Sequence, residues 1–264
     1  MRAIAAIIML TVFLLPPFTV FAEQTSPKNK LDEISDEALQ MVKLQKYHEA
    51  EKLLKYFSKQ FLPFTVKEHS FSMDELRIVT VAHKDAIEAS VSPTMTYEER
   101  LNQVTKFRLV VDAVTSNHQP LWTEMEGPIM SAFKNVKKSV YNGDSEHFNS
   151  NLNSFLSLYE VVYPSMRLDV PPERMEKVDA RINFLDQFRP QVLSQVSSRQ
   201  ELEALQVDLQ KIFDETNEDD ADPSLWWVMI STGSIIILTL TYVGWRKYKG
   251  DREKERNRSR ELKD

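Results

Sequence analysis

The chain has no cysteine and only 5 glycines among its 264 residues. Without cysteine, disulfide scaffolds, thiolate metal centres and cysteine nucleophiles are excluded. So few glycines argue against glycine-rich phosphate loops and against turn-rich β architectures. Histidine is sparse as well. His48, His69, His83, His118 and His147 never come closer than 14 positions apart, and no H-E-x-x-H zinc pair occurs. The strained Gly-x-Ser-x-Gly turn of a serine nucleophile is missing too. Charged residues at 27% and apolar ones at 42% exclude a disordered tail or a collagen-like fibre. The composition names no reaction.

What is present lies first at the two ends. Arg2, an apolar run from Ala3 to Leu15, the Pro16-Pro17 break and the closing Val20-Phe21-Ala22 follow the order of a secretory signal peptide over residues 1–22. Cleavage would leave Glu23 first; a retained N-terminal membrane helix is the alternative. Near the other end, Leu225 to Trp245 carries no charge over 21 residues. At about 1.5 Å per residue this run matches a hydrocarbon core of about 30 Å. Trp226 and Trp227 border it on one side, and Tyr242 and Trp245 on the other, as an aromatic belt would. Arg246 and Lys247 follow at once.

Residues 246–264 hold nine basic side chains against five acidic ones, whereas Asp214, Glu215, Glu218, Asp219, Asp220 and Asp222 precede the apolar run. The positive-inside rule then predicts a cytoplasmic C-terminus and a single-pass protein of the cell membrane with residues 23–224 outside. The expected organisation is a signal peptide (1–22), an extracytoplasmic helical domain (23–216), an acidic juxtamembrane linker (217–224), a transmembrane helix (225–245) in contact with membrane lipid, and a basic cytoplasmic tail (246–264). The part expected outside has 34 acids against 23 bases. A surface of that sign repels polyanions, so nucleic acid is not an expected partner.

Helical periodicity dominates from Leu31 to Phe213. Leu31, Ile34, Ala38 and Met41 recur three or four apart, as do Tyr47, Ala50, Leu54, Phe57 and Phe61. The polar turn between these runs, followed by Tyr47 and the small Ala50, predicts a tetratricopeptide-like hairpin, although no 34-residue period continues from it. Ser72 to Glu75 and Thr96 to Glu99 read as capping boxes. Gly127-Pro128 should bend or restart a helix that begins near Leu121, and Asn142-Gly143-Asp144 marks a tight stop. Tyr163 to Pro172 reads as an extended crossover because of its prolines. Pro190 should end the helix that follows Pro172, and Ser198 to Glu201 should cap a last helix. About eight helices result, and the expected fold class is all-α, an antiparallel assembly of helical hairpins with one C-terminal transmembrane helix.

Four features carry a resemblance: Leu44 to Phe57, Trp122, the Phe155 to Ser165 run, and the closing apolar span. Over essentially the whole length the chain resembles the YpjB family of sporulation-associated proteins from endospore-forming bacilli. The resemblance implies a membrane-anchored role in sporulation. It brings no reaction, ligand or catalytic residue.

The search for chemistry gives no catalytic, cofactor-binding or metal residue, and no cofactor or small-molecule substrate is expected. Glu98 with Glu99, or Glu124 with Glu126, could be glycosidase carboxylates, but helix-start acids already have a dipole explanation. His83 reads as a packed histidine. Trp122, Tyr159, Tyr163 and Pro164 are either interface anchors or core packing. The 163–172 crossover, with Tyr163 and Arg167, is the expected contact for a protein partner at the cell envelope. The membrane-interface residues are Trp226, Trp227, Tyr242, Trp245, Arg246 and Lys247. The resulting expectation is a noncatalytic helical interaction module. The alternatives are an envelope enzyme or wall-sugar-binding protein, or a receptor signalling through a cytoplasmic partner.

Overall fold

The computed structural model describes residues 26–68, 71–116, 118–195, 197–218, 229–237, 239–241, 243–245 and 247–248. The expected signal peptide, together with Trp226, Trp227, Tyr242 and Arg246, lies outside the described residues. Every regular element among the described residues is helical: α1 (Pro27–Lys43), α2 (Tyr47–Glu68), α3 (Met73–Val91), α4 (Tyr97–Thr115), a 3-10 turn (Leu121–Met125), α5 (Glu126–Asn142), α6 (Ser145–Asp169), α7 (Pro172–Gln187), α8 (Arg189–Ser194) and α9 (Ser197–Glu218).

Local chemistry sets the boundaries. Ser26 caps α1 by accepting from the Asn29 N–H, and Pro27 follows in the first turn, where its missing N–H costs nothing. Both expected capping boxes form, Ser72 with Glu75 and Thr96 with Glu99. At the end of α1 the Lys46 N–H donates to the Met41 carbonyl and the Gln45 N–H to that of Val42, a Schellman closure. Gln45 takes the left-handed position with φ 57°, where glycine would be unstrained. Gly143, at φ 65°, closes α5 in the same way, and Asp144 caps α6 by accepting from the His147 N–H.

Two apolar cores share one wall. The first collects Leu31, Val42, Leu54, Phe57, Val79 and Phe107 from α1 to α4. The second collects Trp122, Phe133, Phe148, Phe155, Leu205 and Phe213 from the 3-10 turn onward. Helix α4 serves both: Val110 and Val111 belong to the first core and Leu109 to the second. Ala50 is fully buried, and its small side chain lets α2 lie close to α1.

Contacts between helices fix which ends meet. At one end the Arg100 guanidinium stacks 4.5 Å over the Tyr47 ring, Lys137 pairs with Glu203 at 2.7 Å, and Arg189 donates to Asn153 at 2.8 Å. At the other, Arg108 holds Asp32, Gln210 donates to Glu126 at 2.9 Å, Arg174 pairs with Glu215, and the Trp122 and Phe213 rings lie 5.5 Å apart. The connections at 44–46, 92–96 and 143–144 therefore share the first end. The turn between α2 and α3, the 3-10 turn, Val170-Pro171, the start of α1 and the finish of α9 share the second.

Three expectations are corrected. Residues 163–169 are not extended: α6 runs through Pro164 to Asp169, leaving only Val170 and Pro171 between helices. Proline removes one helical hydrogen bond at a cost of about 3 kcal/mol. Burial of Tyr159, Val161, Val162, Ser165 and Met166 on both sides of it offsets that loss. Ser198 is not the cap of the last helix but lies inside α9, where its hydroxyl donates to the Gln191 carbonyl. Pro190 opens an additional short helix, α8, in place of simply ending α7.

Of the expected span 225–245, residues 229–237, 239–241 and 243–245 are described, and all are helical. Among the described residues no helix is long and apolar enough to cross a membrane.

Relief of the left-handed strain should be measurable. Gln45→Gly is expected to stabilise the full chain by at most about 1 kcal/mol, because the left-handed penalty exceeds the added entropy of glycine in the unfolded chain. A rise in the urea midpoint at constant slope is the readout.

Candidate functional site

Trp122 does not face outward. It is fully buried, and its Nε1–H donates to Asp169 Oδ2 at 2.7 Å. Tyr159 is buried as well, so neither ring offers a face to a partner; both belong to the packing alternative. Their polar tips explain the choice of residue, since a buried N–H or O–H must find an acceptor. The Tyr159 hydroxyl donates to Asp179 Oδ1 and the Tyr163 hydroxyl to Asp179 Oδ2, each at 2.9 Å. One carboxylate of α7 thus joins two tyrosines one helical turn apart on α6. Burial, followed by the Asp179 charge and hydrogen bond, raises the Tyr159 hydroxyl far above its ordinary value. Burial and Asp179 raise that of Tyr163 too, while Arg167 pulls the other way.

The accessible remainder of the expected patch is Arg167, which is exposed, with the half-buried Tyr163 and Pro164 beside it on the last turns of α6. Four of the five expected residues therefore share one helix. Trp122 reaches them from beneath through Asp169.

A second polar constellation, not anticipated from the sequence, lies at the end of α4. Arg108 is buried to 7% exposure and donates to both oxygens of Asp32, at 2.7 and 3.2 Å. Its Nε faces Asp36 at 3.6 Å, and Asp112 lies 3.7 Å from its Nη1. Asp112 in turn accepts the Leu121 N–H at 2.7 Å, which fixes the start of the 3-10 turn that carries Trp122. Burial raises the Asp112 carboxyl, against the Leu121 hydrogen bond and Arg108. Asp169 is exposed as a residue, but its carboxyl is turned onto the indole and is pushed up to about 6, first by the loss of water there and then by the charge of Asp112; the Trp122 hydrogen bond opposes both. Asp32, Glu33, Asp112, Thr115 and His118 line a polar cavity of about 370 Å³. The signal for this cluster was present in the sequence as a charged pair four apart, Arg108 and Asp112, set inside an otherwise apolar stretch from Phe107 to Val114.

His83, read as a packed histidine, is half-buried between Phe57 and Phe107, with its Nε2 2.7 Å from the Leu54 carbonyl. Burial lowers its affinity for a proton. Among the described residues no group of three His, Asp or Glu side chains could hold a metal ion.

The family profile described as Sporulation protein YpjB (SpoYpjB) matches residues 28–257. The chain belongs to the YpjB family of sporulation proteins. Within it, the uncharacterized protein YpjB of Bacillus subtilis (strain 168) is 36% identical over 239 residues, which cover 90% of each chain. No solved structure matches. The YpjB family match spans α1 to α9 except the first residue of α1.

The Asp169 carboxyl gives a signed pH test. A folded value of about 6, against an ordinary value near 4, means that the native state holds the proton more tightly. Its contribution to stability is therefore fully present below about pH 4 and is lost as pH rises through 6. Asp169→Asn keeps an acceptor for the indole and removes the charge. The Tm of the wild type minus that of the variant should fall steadily from pH 4 to 7, and parallel profiles would contradict the assignment.

Proposed function

We propose that this YpjB-family protein is a membrane-anchored, noncatalytic helical interaction module that faces the extracytoplasmic space during sporulation. One observation carries the anchoring. Residues 229–245 are apolar wherever they are described apart from small or hydroxylated side chains, and their large side chains stay exposed: Ile235 63%, Ile237 66% and Leu240 68%. In the rest of the protein, most side chains of this kind fill the two cores. A helix that keeps its large apolar side chains exposed is suited to lipid as its solvent. The uncharged run 225–245, its aromatic borders and the basic residues behind it support an orientation with the body outside. The tetratricopeptide-like character of the α1–α2 pair is part of this proposal: closely paired helices offer grooves to a peptide or another subunit.

The partner contact is proposed at Tyr163, Pro164 and Arg167, where a half-buried anchor presents an exposed cation. A photoreactive residue at position 167 should give one defined protein adduct in sporulating cells, while the same probe at Lys84, on α3, should not. In intact protoplasts, added protease should remove the body and leave the tail; survival of the body would overturn the orientation.

One observation favours a second reading, an envelope hydrolase or wall-sugar-binding protein. Asp112 and Asp169 interact, both carboxyls are raised, and Asp112 borders a polar cavity. Digestion of purified peptidoglycan by the wild type, lost in Asp112→Asn, would establish it in place of the first.

A further inference from the structure

Large apolar side chains stand exposed where the finish of α2 and the start of α3 meet. Leu62, Val66 and Met73 are 69%, 64% and 81% exposed, and Met73 is the most exposed large apolar side chain among the described residues. Leu62 and Val66 are four apart and stand one above the other on α2, and the exposed Lys59 lies one turn earlier on the same side. Behind them Phe61, Phe64 and Phe71 pack ring against ring, with centroids 5.4 to 6.5 Å apart. The aromatic cluster gives the tip a firm base. Nothing within the described fold covers its outer side.

The position of this tip identifies what covers it. It lies at the end of the helix assembly where α9 finishes. From Glu218 the chain has only seven steps to Leu225, a reach of at most about 25 Å. If 225–245 lies in lipid, this end of the body is held against the bilayer surface. Helix α2 is separated from α9 by α1, α3, α4 and α6, so the tip touches down well to the side of the anchor.

We propose that the α2–α3 tip is a second membrane contact, in which Leu62, Val66 and Met73 enter the lipid interface and Lys59 sits at the level of anionic headgroups. The proposal rests on the membrane anchoring set out above. An anchor and a tip apart from each other hold the body in one orientation on the bilayer, which a single point of attachment cannot do. Leu44 and Val91 are exposed too, but at the opposite end, where this arrangement keeps them in water.

The absence of cysteine makes the test direct, because single cysteines can be introduced and labelled one at a time. The full chain is reconstituted into vesicles of phosphatidylcholine and phosphatidylglycerol, carrying a nitrobenzoxadiazole label at Leu62→Cys, Val66→Cys or Met73→Cys. Labels at Leu44→Cys, Val91→Cys and Ile236→Cys serve as references. Labels at 62, 66 and 73 should shift to the blue and lose most of their emission to doxyl-labelled lipid, as the label at 236 does, while those at 44 and 91 keep theirs. Quenching at 236 without quenching at the tip would overturn the second contact and leave the anchor standing. No quenching at 236 would overturn the anchoring and this proposal together. A blue shift at the tip that lipid quencher does not touch would mean that protein, such as a second copy, covers it, and would also overturn the proposal.

Discussion

Helix α4 has to be buried on two sides at once, and much of the structure follows from that requirement. A helix between two cores can turn few of its polar residues to water, so most of the buried ones are satisfied inside. Arg100, 8% exposed, spends its guanidinium on the carbonyls of Ala89, Ser90 and Ser92 and its Nε on that of Met95. It thereby closes the end of α3, and its flat face rests on Tyr47 at the start of α2. About two turns further along, Arg108 clamps α1 through the Asp32 carboxylate. Asp112 completes the set by holding the 3-10 turn. Three charged residues on one buried helix thus determine where α1, α2, α3 and the second core sit. Lysine could not replace either arginine, since a point cation cannot serve several acceptors in one plane.

The helices were legible because their signals are local. The capping boxes at Ser72 and Thr96, the stop at Gly143 and the apolar stripes at three- and four-residue spacing all depend on near neighbours in sequence, and they recur in the structure. The reading failed where burial outweighs local preference. Pro164 argued for an extended crossover, yet the apolar residues around it gain more by continuing the helix into the second core than one lost hydrogen bond costs. Gln45 occupies a position where sequence rules would place glycine.

The candidate site was legible in part, for the same reason. Tyr159 and Tyr163 could be recognised as aromatic residues with polar tips, but the acceptor they share, Asp179, lies 16 and 20 residues away on another helix. Trp122 likewise depends on Asp169, 47 residues later. Such pairings leave no periodic trace. The membrane reading draws on a different kind of signal, a run of composition independent of tertiary contacts, and this is why it can be argued from sequence when the polar pairings cannot.

The division of α4 between two cores has a consequence for the order of events during synthesis. All buried members of the first core lie between Leu31 and Val111, and among the described residues only the half-buried Leu168 packs on it from beyond α4. The four leading helices can condense on the nascent polypeptide while the remainder is still being translated. Until α6 arrives they carry a bare strip around Leu109, a sticky intermediate surface that a holding chaperone would recognise.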